Sequence, residues 1–555
     1  MLIVFFGKTG LSFINYYYAI DRKVMKLKIF VFIFIFSSPC IAATSVPLNV
    51  GNNNYVFIEN EIDGGYLVTP NTFAPRFTGS NVWTKYATNQ TSLGFLGYAW
   101  SVPYYYIDLW FENSPINRPF QGLRCITTGV NCPASGYLPA EVIDNDGIYH
   151  TKAGIDESNG SFTYGSLTDA AYQYFGSRPV GASDAYTLNI CVTLTDYDSA
   201  SGVRCKDLTA GAIWYAVNMT LNKVGHLTLN RTNSSAEIWV ASDGTPSTST
   251  NSDDCYTSVV NNVTGITCRM VSYKYQRSAD ITGSLIFGMV LNTATLGFTP
   301  VADSVRFSSD GQTWFNYNLT TPYFNIFKQA GDGYIYVFLS KTFLQNLVNN
   351  GISISNNDSV FTFNFYNAVV PLSGYYQFTA SNSISILPKE YGISITSSDG
   401  NSRPTESGRI GSEQPIEFEY TVTTSAARQA DSIIAQVTGD TTTLNGVPYC
   451  IFSSPDETYK VPVPAYLSYT SQSGATVRER NSCGEEPIDM TNALWTQTAW
   501  DASVDSGFFF TTNLKLQFPM NDTRSEFTLD GDQWMGTVSA SGEVKVTATW
   551  VGVDR

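Results

Sequence analysis

Turn dipeptides punctuate this chain from end to end and constrain its fold more than any other feature. Asp-Gly occurs at 63–64, 146–147, 243–244, 310–311, 332–333, 399–400 and 530–531, and Asn-Gly at 159–160, 350–351 and 445–446. These residues tolerate the left-handed backbone that two-residue hairpins require. Between them lie alternating or aromatic-rich runs: Tyr55-Val56-Phe57-Ile58, Ala236 to Val240, Tyr334 to Phe338, Phe361 to Phe365 and Leu514 to Phe518. Period-two runs bounded by turn signals are strands. The chain holds 34 Tyr and 34 Phe but only 14% charged residues, a balance that suits pleated, half-buried surfaces. The expected class is all-β, a multi-domain set of β-sandwiches joined by hairpins.

Two short helices interrupt the pattern. Ser166 is positioned to cap Leu167 to Phe175, with Gly176 as the stop. Ser340 is positioned to cap Lys341 to Asn350, with Gly351 as the stop.

The N-terminus carries an export signal. Lys26 and Lys28 precede an apolar run from Ile29 to Phe36, and Ser37 to Ala42 are mostly small. That is a secretory signal over 25–42, too short to span a bilayer. Residues 1–24 precede a complete signal, so Met25 is the expected start. The polar Ser397 to Gly411 stretch, following Ile386-Leu387-Pro388-Lys389, marks a boundary. We therefore expect a 43–388 region, dividing near 230 into two β lobes, and a 389–555 domain of immunoglobulin size.

Nine cysteines are present. Cys40 falls in the signal, leaving an even set for an oxidising compartment. They lie as neighbours: Cys125 and Cys132, Cys191 and Cys205, Cys255 and Cys268, Cys450 and Cys483. Roughly a hundred connectivities are open on sequence alone; short-range pairing, with each pair clipping one local loop, is the expectation. The spacings are too wide for a zinc site. A net charge of −15 gives no electrostatic case for nucleic acid.

A catalytic constellation is missing. The two histidines, His150 and His226, sit in polar settings that read as turns. No nucleophile elbow, zincin motif or phosphate-cradling loop occurs. Asp144-Asn145-Asp146-Gly147 lacks the spacing of a calcium loop and reads as a turn. The acidic pairs Asp108/Glu112, Asp253/Asp254 and Glu485/Glu486 are what an acidic chain offers by chance. Tyr104 to Tyr106 and Phe508 to Phe510 read as strand core before sugar platform. Arg118 and Arg124 read as ordinary surface charges. No catalytic, metal or cofactor residue is expected, and no receptor-binding residue is assigned.

The final strand is the remaining feature. Gly542 to Trp550 alternates, with Val544, Val546, Ala548 and Trp550 on one face and Glu543, Lys545, Thr547 and Thr549 on the other. Only Val551 to Arg555 follow. Such a strand has either closed its sheet or left an edge whose unpaired N–H and C=O groups recruit another chain. The pattern alone leaves both open.

Several blocks carry a resemblance. They are Leu109 to Pro115 leading into Gly122 to Cys125, Tyr197 to Asp207, Val447 to Ser454, Asp489 to Trp495, and Val538 to Val544. Together they resemble the tip adhesins of the common pilus and, more distantly, the tip subunits of class 5 (alternate chaperone–usher) fimbriae. The similarity runs from about Tyr55 to Trp550. It implies an N-terminal adhesin region and a C-terminal, incomplete immunoglobulin-like pilin domain. The implied partners are a periplasmic chaperone, an outer-membrane usher, a major pilin that donates a strand, and a host-cell receptor such as a glycan; self-polymerisation is also consistent with it. The implied function is attachment to host cells or surfaces and biofilm formation at a pilus tip, with Val544, Val546, Ala548 and Trp550 lining the strand-accepting groove. No cofactor or reaction is implied. The competing readings are a secreted carbohydrate-active or carbohydrate-binding β-sandwich protein and a non-adhesive pilus initiator.

Overall fold

The computed structural model describes residues 43–62, 65–72, 83–84, 95–96, 104–125, 129–130, 137–156, 163–248, 254–278, 286–318, 323–327, 329–354, 359–366, 375–500 and 505–552. The signal segment, the residues before it, Cys132, Asp253 and the dipeptides at 63–64 and 159–160 lie outside these.

The N-terminal lobe contains β1 (Ser45–Asn60), β2 (Tyr106–Phe111), β3 (Gly147–Lys152), α1 (Asp169–Ser177), β4 (Ser183–Thr193) and β5 (Ala212–Asn230). The middle lobe contains β6 (Ser235–Val240), β7 (Val263–Arg277), β8 (Gly331–Ser340), α2 (Lys341–Asn349) and β9 (Ser383–Pro388). One continuous sheet, in the order β8–β7–β5–β4–β2–β3, crosses both lobes.

β5 is the axis of that sheet. One edge pairs in parallel with β1, Ser45 opposite Trp214 through Asn60 opposite Leu229. Its other edge changes partner along its length. Ala212–Asn222 pair with β4, and Gly225–Asn230 pair with β7. Lys223 sits at the hand-over.

Strand alternation sends neighbouring side chains to opposite faces. Tyr55 and Phe57 enter a core with Leu109, Phe111, Leu188 and Val217. Val56 and Ile58 enter another with Leu227, Leu229, Phe287 and Phe363. A strand buried on both faces reads as an unbroken apolar run, which is why Tyr55 to Ile58 shows no polar residue.

The C-terminal region contains β10 (Gly392–Ser397), β11 (Ile416–Ala426), β12 (Ser432–Gly439), β13 (Phe508–Phe518) and β14 (Gly542–Thr549). One sheet runs β10–β11–β13 and on to strands Tyr466–Thr470 and Thr476–Arg480; a second holds Ile488–Asp489, β12 and β14. Val422, Ile433, Ala435, Val437, Leu467 and Leu514 share the core with Cys450 and Cys483.

Several local expectations need correction. α1 is capped by Thr168, not Ser166: Thr168 Oγ1 accepts from Ala171 N at 3.4 Å, while Ser166 and Leu167 are held in a strand and Ser166 Oγ accepts from Gln121. The helix also runs through Gly176 to Ser177. α2 begins after Ser340, whose hydroxyl accepts from Phe343 N at 3.1 Å, and ends at Asn349. Asp332-Gly333 is not a turn but part of β8; Gly333 lies opposite Tyr273, where a Cβ would fall 2.7 Å from the tyrosine oxygen. Asn445-Gly446 does turn a hairpin, with φ of 54° and 80° and Leu444 opposite Val447. Two parallel pairings, β1 with β5 and β6 with β9, are not signalled by turn dipeptides.

The polar stretch after β10 is no free linker. Ser235 N donates to Gly400 O and Ser402 N to Asn233 O, so it folds back on the middle lobe. Further contacts join the same regions: Trp239 meets Phe509 with centroids 5.2 Å apart, and Ser242 N and Oγ both donate to Asp505 at 2.8 Å.

Candidate functional site

β14 pairs with β12 from Gly542 opposite Gly439 to Thr549 opposite Ser432. β10 pairs with β11. Among the described residues, neither has a partner on its other side. The two strands are the facing edges of adjacent sheets, and a seam runs between them.

Apolar residues line that seam. Val544, Val546, Ala548 and Trp550 are half-buried and pack on the C-terminal core together with Ile393 and Ile395 of β10. Glu543, Lys545, Thr547 and Thr549 are exposed. The period-two alternation fixes this division. Gly542 lets the start of β14 lie close against β12, since a Cβ there would fall 2.5 Å from Thr438 O.

The strand's end is anchored. Trp550 Nε1 donates to Arg428 O at 3.1 Å, and its ring meets Tyr391 edge-on at 5.5 Å. Asp431 accepts from Val551 N at 2.7 Å and from Arg428 Nη1 at 2.9 Å. The Arg428 bond, then the backbone bond, hold its carboxyl below the usual range. An anchored edge with free backbone groups and an apolar row has the chemistry to bind an extended strand. The contribution of β10 was missed at the sequence level, although Ile393 and Ile395 alternate with Ser394 and Thr396 and so carry the same signal.

The other singled-out residues lie elsewhere. Disulfides join Cys191 to Cys205, Cys255 to Cys268 and Cys450 to Cys483; the Cys125 and Cys132 pair falls outside the described side chains. The first bond ties down a loop over the outer face of the N-terminal sheet. Beneath it Asp108, fully buried, accepts from His150 N at 2.8 Å, Cys205 N at 2.7 Å and the Tyr197 hydroxyl. Burial pushes its carboxyl pKa up, and these bonds oppose the shift.

His150 and His226 are in strands β3 and β5, not turns. The His150 ring stacks on Tyr106 at 4.3 Å and contacts Glu141 and Asp196. Asp144 Oδ1 accepts from Asp146 N and Gly147 N at 2.9 Å, so that segment is a side-chain-closed turn. Glu485 pairs with Arg480, Asp254 accepts from Ser234, Glu112 is exposed, and Arg118 is an exposed turn residue at φ 55°. Phe508 to Phe510 lie in β13. Among the described residues, no group of three or more His, Cys, Asp or Glu is placed to hold a metal ion.

Three family models match the chain in order. They are the E. coli common pilus adhesin EcpD N-terminal domain at residues 42–227, its middle domain at 231–383 and the EcpD C-terminal domain at 390–548. Fimbria adhesin EcpD of Escherichia coli K12 is 38% identical over 514 residues, and that of strain O157:H7 is 37% identical. Each alignment covers 90% of this chain and 93% of the relative. Among solved structures, the adhesive subunit CfaE of enterotoxigenic E. coli is matched over 58% of this chain and 98% of its own at 11% identity, with a TM-score of 0.17, too low to bear on the fold.

The class so defined is that of fimbrial adhesins, which are not enzymes. Within it, the chain belongs to the EcpD family of common pilus adhesins.

Proposed function

We propose that this chain is a pilus-tip adhesin whose C-terminal domain completes its fold with a strand supplied by another subunit. The single observation that carries the reading is β14: among the described residues it is paired on one side only, and its apolar row faces β10 across the seam. A periplasmic chaperone fills the seam first, the usher exports the complex, and the major pilin then inserts its own strand. The region 43–388 is the adhesive part, contacting a host-cell receptor or a surface and promoting biofilm, and 389–555 is the pilin-like domain. The segment 25–42 is the export signal, and Cys125 pairs with Cys132.

The test is hydrogen exchange across 542–549 in the full chain, produced with and without its chaperone. The expected result is a stable complex in which β14 amides become protected. A chain that is soluble and monomeric alone, with every β14 amide already protected, would overturn the proposal. Hydrolysis of a glycan, lost on a single carboxylate substitution, would favour the carbohydrate-active alternative.

A further inference from the structure

A buried carboxylate sits in the joint between the middle lobe and the C-terminal domain. Trp239 of β6, 2% exposed, meets Phe509 of β13 edge-on. It also lies so close to β10 that a Cβ on Gly392 would fall 2.6 Å from its ring. Glu237 is two residues before Trp239 and so shares its face of β6. Glu237 is 6% exposed, and Ser394 of β10 is 8% exposed.

Neither group is satisfied. Among the described residues, Glu237 Oε1 and Ser394 Oγ have no hydrogen-bond partner. Burial raises the Glu237 pKa, and the nearby Ser394 and Trp239 side chains oppose that shift only in part. On the same face β9 places Ser385 opposite Glu237, and the strand Pro246–Thr248 places Ser247 opposite Trp239; neither titrates. On β11, Thr423 lies opposite Ser394, and the charged groups further along are Glu419 of β11 and Lys515 of β13, paired at 2.9 Å. At the joint's edge, Asp243 pairs with Lys341 and Asp505 accepts from Ser242. Lys389 and Asp399 flank β10 in the chain, and among the described residues neither forms an ion pair with Glu237.

A buried carboxylate without a counter-charge is costly when ionised, whereas the neutral acid can donate as well as accept. The closed joint therefore holds its proton more tightly than the opened one. We propose that this joint is a pH-responsive latch, tight when Glu237 is protonated and looser when it is ionised. The sign follows from proton counting. Above about pH 4.3, the ordinary glutamate value, the opened joint loses its proton first. Stability of the joint then falls with rising pH until the closed form has also ionised. β10 has a second role in the same place, since Ile393 and Ile395 turn the other way and pack on the C-terminal core along the seam. The latch thus grips from behind the strand that borders the seam, and it does so whatever fills that seam.

The experiment uses Glu237→Gln, which keeps the shape and fixes the neutral state. Hydrogen exchange over 235–240 and 392–397 is compared between the full chain and the variant at about pH 4.5 and about pH 7.5. At the higher pH the variant should exchange at least about tenfold more slowly, as one unit of pKa difference requires. At the lower pH the two should agree within about twofold. Glu237→Met, neutral and of similar length, should shift the balance the same way between the two pH values. Glu390→Gln, at an exposed neighbouring position, should match the wild type at both. A wild-type-to-Gln gap that is the same at both pH values overturns the proposal. So does a Met variant whose gap to wild type does not change with pH.

Discussion

Replacing Lys223 with methionine separates the cost of burying a charge from the value of the bonds that charge makes. Lys223 is fully buried. Its ammonium donates to Phe175 O at 3.1 Å and Gly176 O at 2.7 Å, at the C-terminal end of α1, and to His226 Nδ1 at 3.2 Å. With Nδ1 accepting, the proton of His226 lies on Nε2, 3.4 Å from Glu59; that contact holds the Glu59 carboxyl below its usual range. Burial lowers the Lys223 pKa to about 8. Against the ordinary lysine value, this disfavours the charged form by about 3 kcal/mol.

The sign follows from proton counting. Between about pH 8 and 10.4 the unfolded chain keeps a proton that the folded chain has released, so this site stabilises the fold as pH rises through that window. Below pH 8 both states are charged, and the folded state carries the full cost. Methionine fills similar space without charge. At pH 7 Lys223→Met loses the charged hydrogen bonds and sheds the desolvation cost, so its net effect should stay within about 2 kcal/mol. At pH 10 the wild type has shed that cost too, and the variant should be about 2–3 kcal/mol worse relative to it than at pH 7. Urea unfolding at the two pH values, with hydrogen exchange in α1 and β5 to localise the effect, measures the difference. A variant-to-wild-type gap that does not change with pH would refute the reasoning.

Three further outcomes are expected. Val546→Asp should weaken capture of an extended strand by at least about 100-fold, because a carboxylate under a covering strand adds desolvation to lost apolar burial; Lys545→Asp, on the outward face, should change it little, and surface-immobilised chaperone binding compares them. Asp108→Ala should cost about 3–5 kcal/mol by orphaning the buried His150 and Cys205 N–H groups, read as a lower Tm and faster exchange in the 194–211 loop. Cys450→Ser with Cys483→Ser should cost about 2–4 kcal/mol, read in the unfolding transition of the C-terminal region.

Sequence patterns revealed some of this structure and concealed the rest for physical reasons. Local chemistry was legible. Asn445-Gly446 needs positive φ at both residues, and Ser340 offers its hydroxyl to an N-terminal N–H, so both features appear where the pattern puts them. Competition from tertiary pairing was not legible. Ser166 is as good a cap as Thr168, but its strand pairing takes it first. Asp332-Gly333 has turn composition, yet its glycine serves the ring of Tyr273. Glu237 and Ser394 lie on strands far apart in the chain, and no local pattern links them. The seam was half legible, since β14 announces its two faces while the strand opposite it depends on topology.

The hand-over along β5 has a mechanical consequence. The cores on either side of the junction share two long strands in parallel pairing, not a flexible tether. A pull that draws those cores apart acts along both strands at once, so the covalent backbone of β1 and β5 bears it while the ladder between them keeps the two strands in step. Tension along the axis is thus carried by backbone that is continuous from one core into the next.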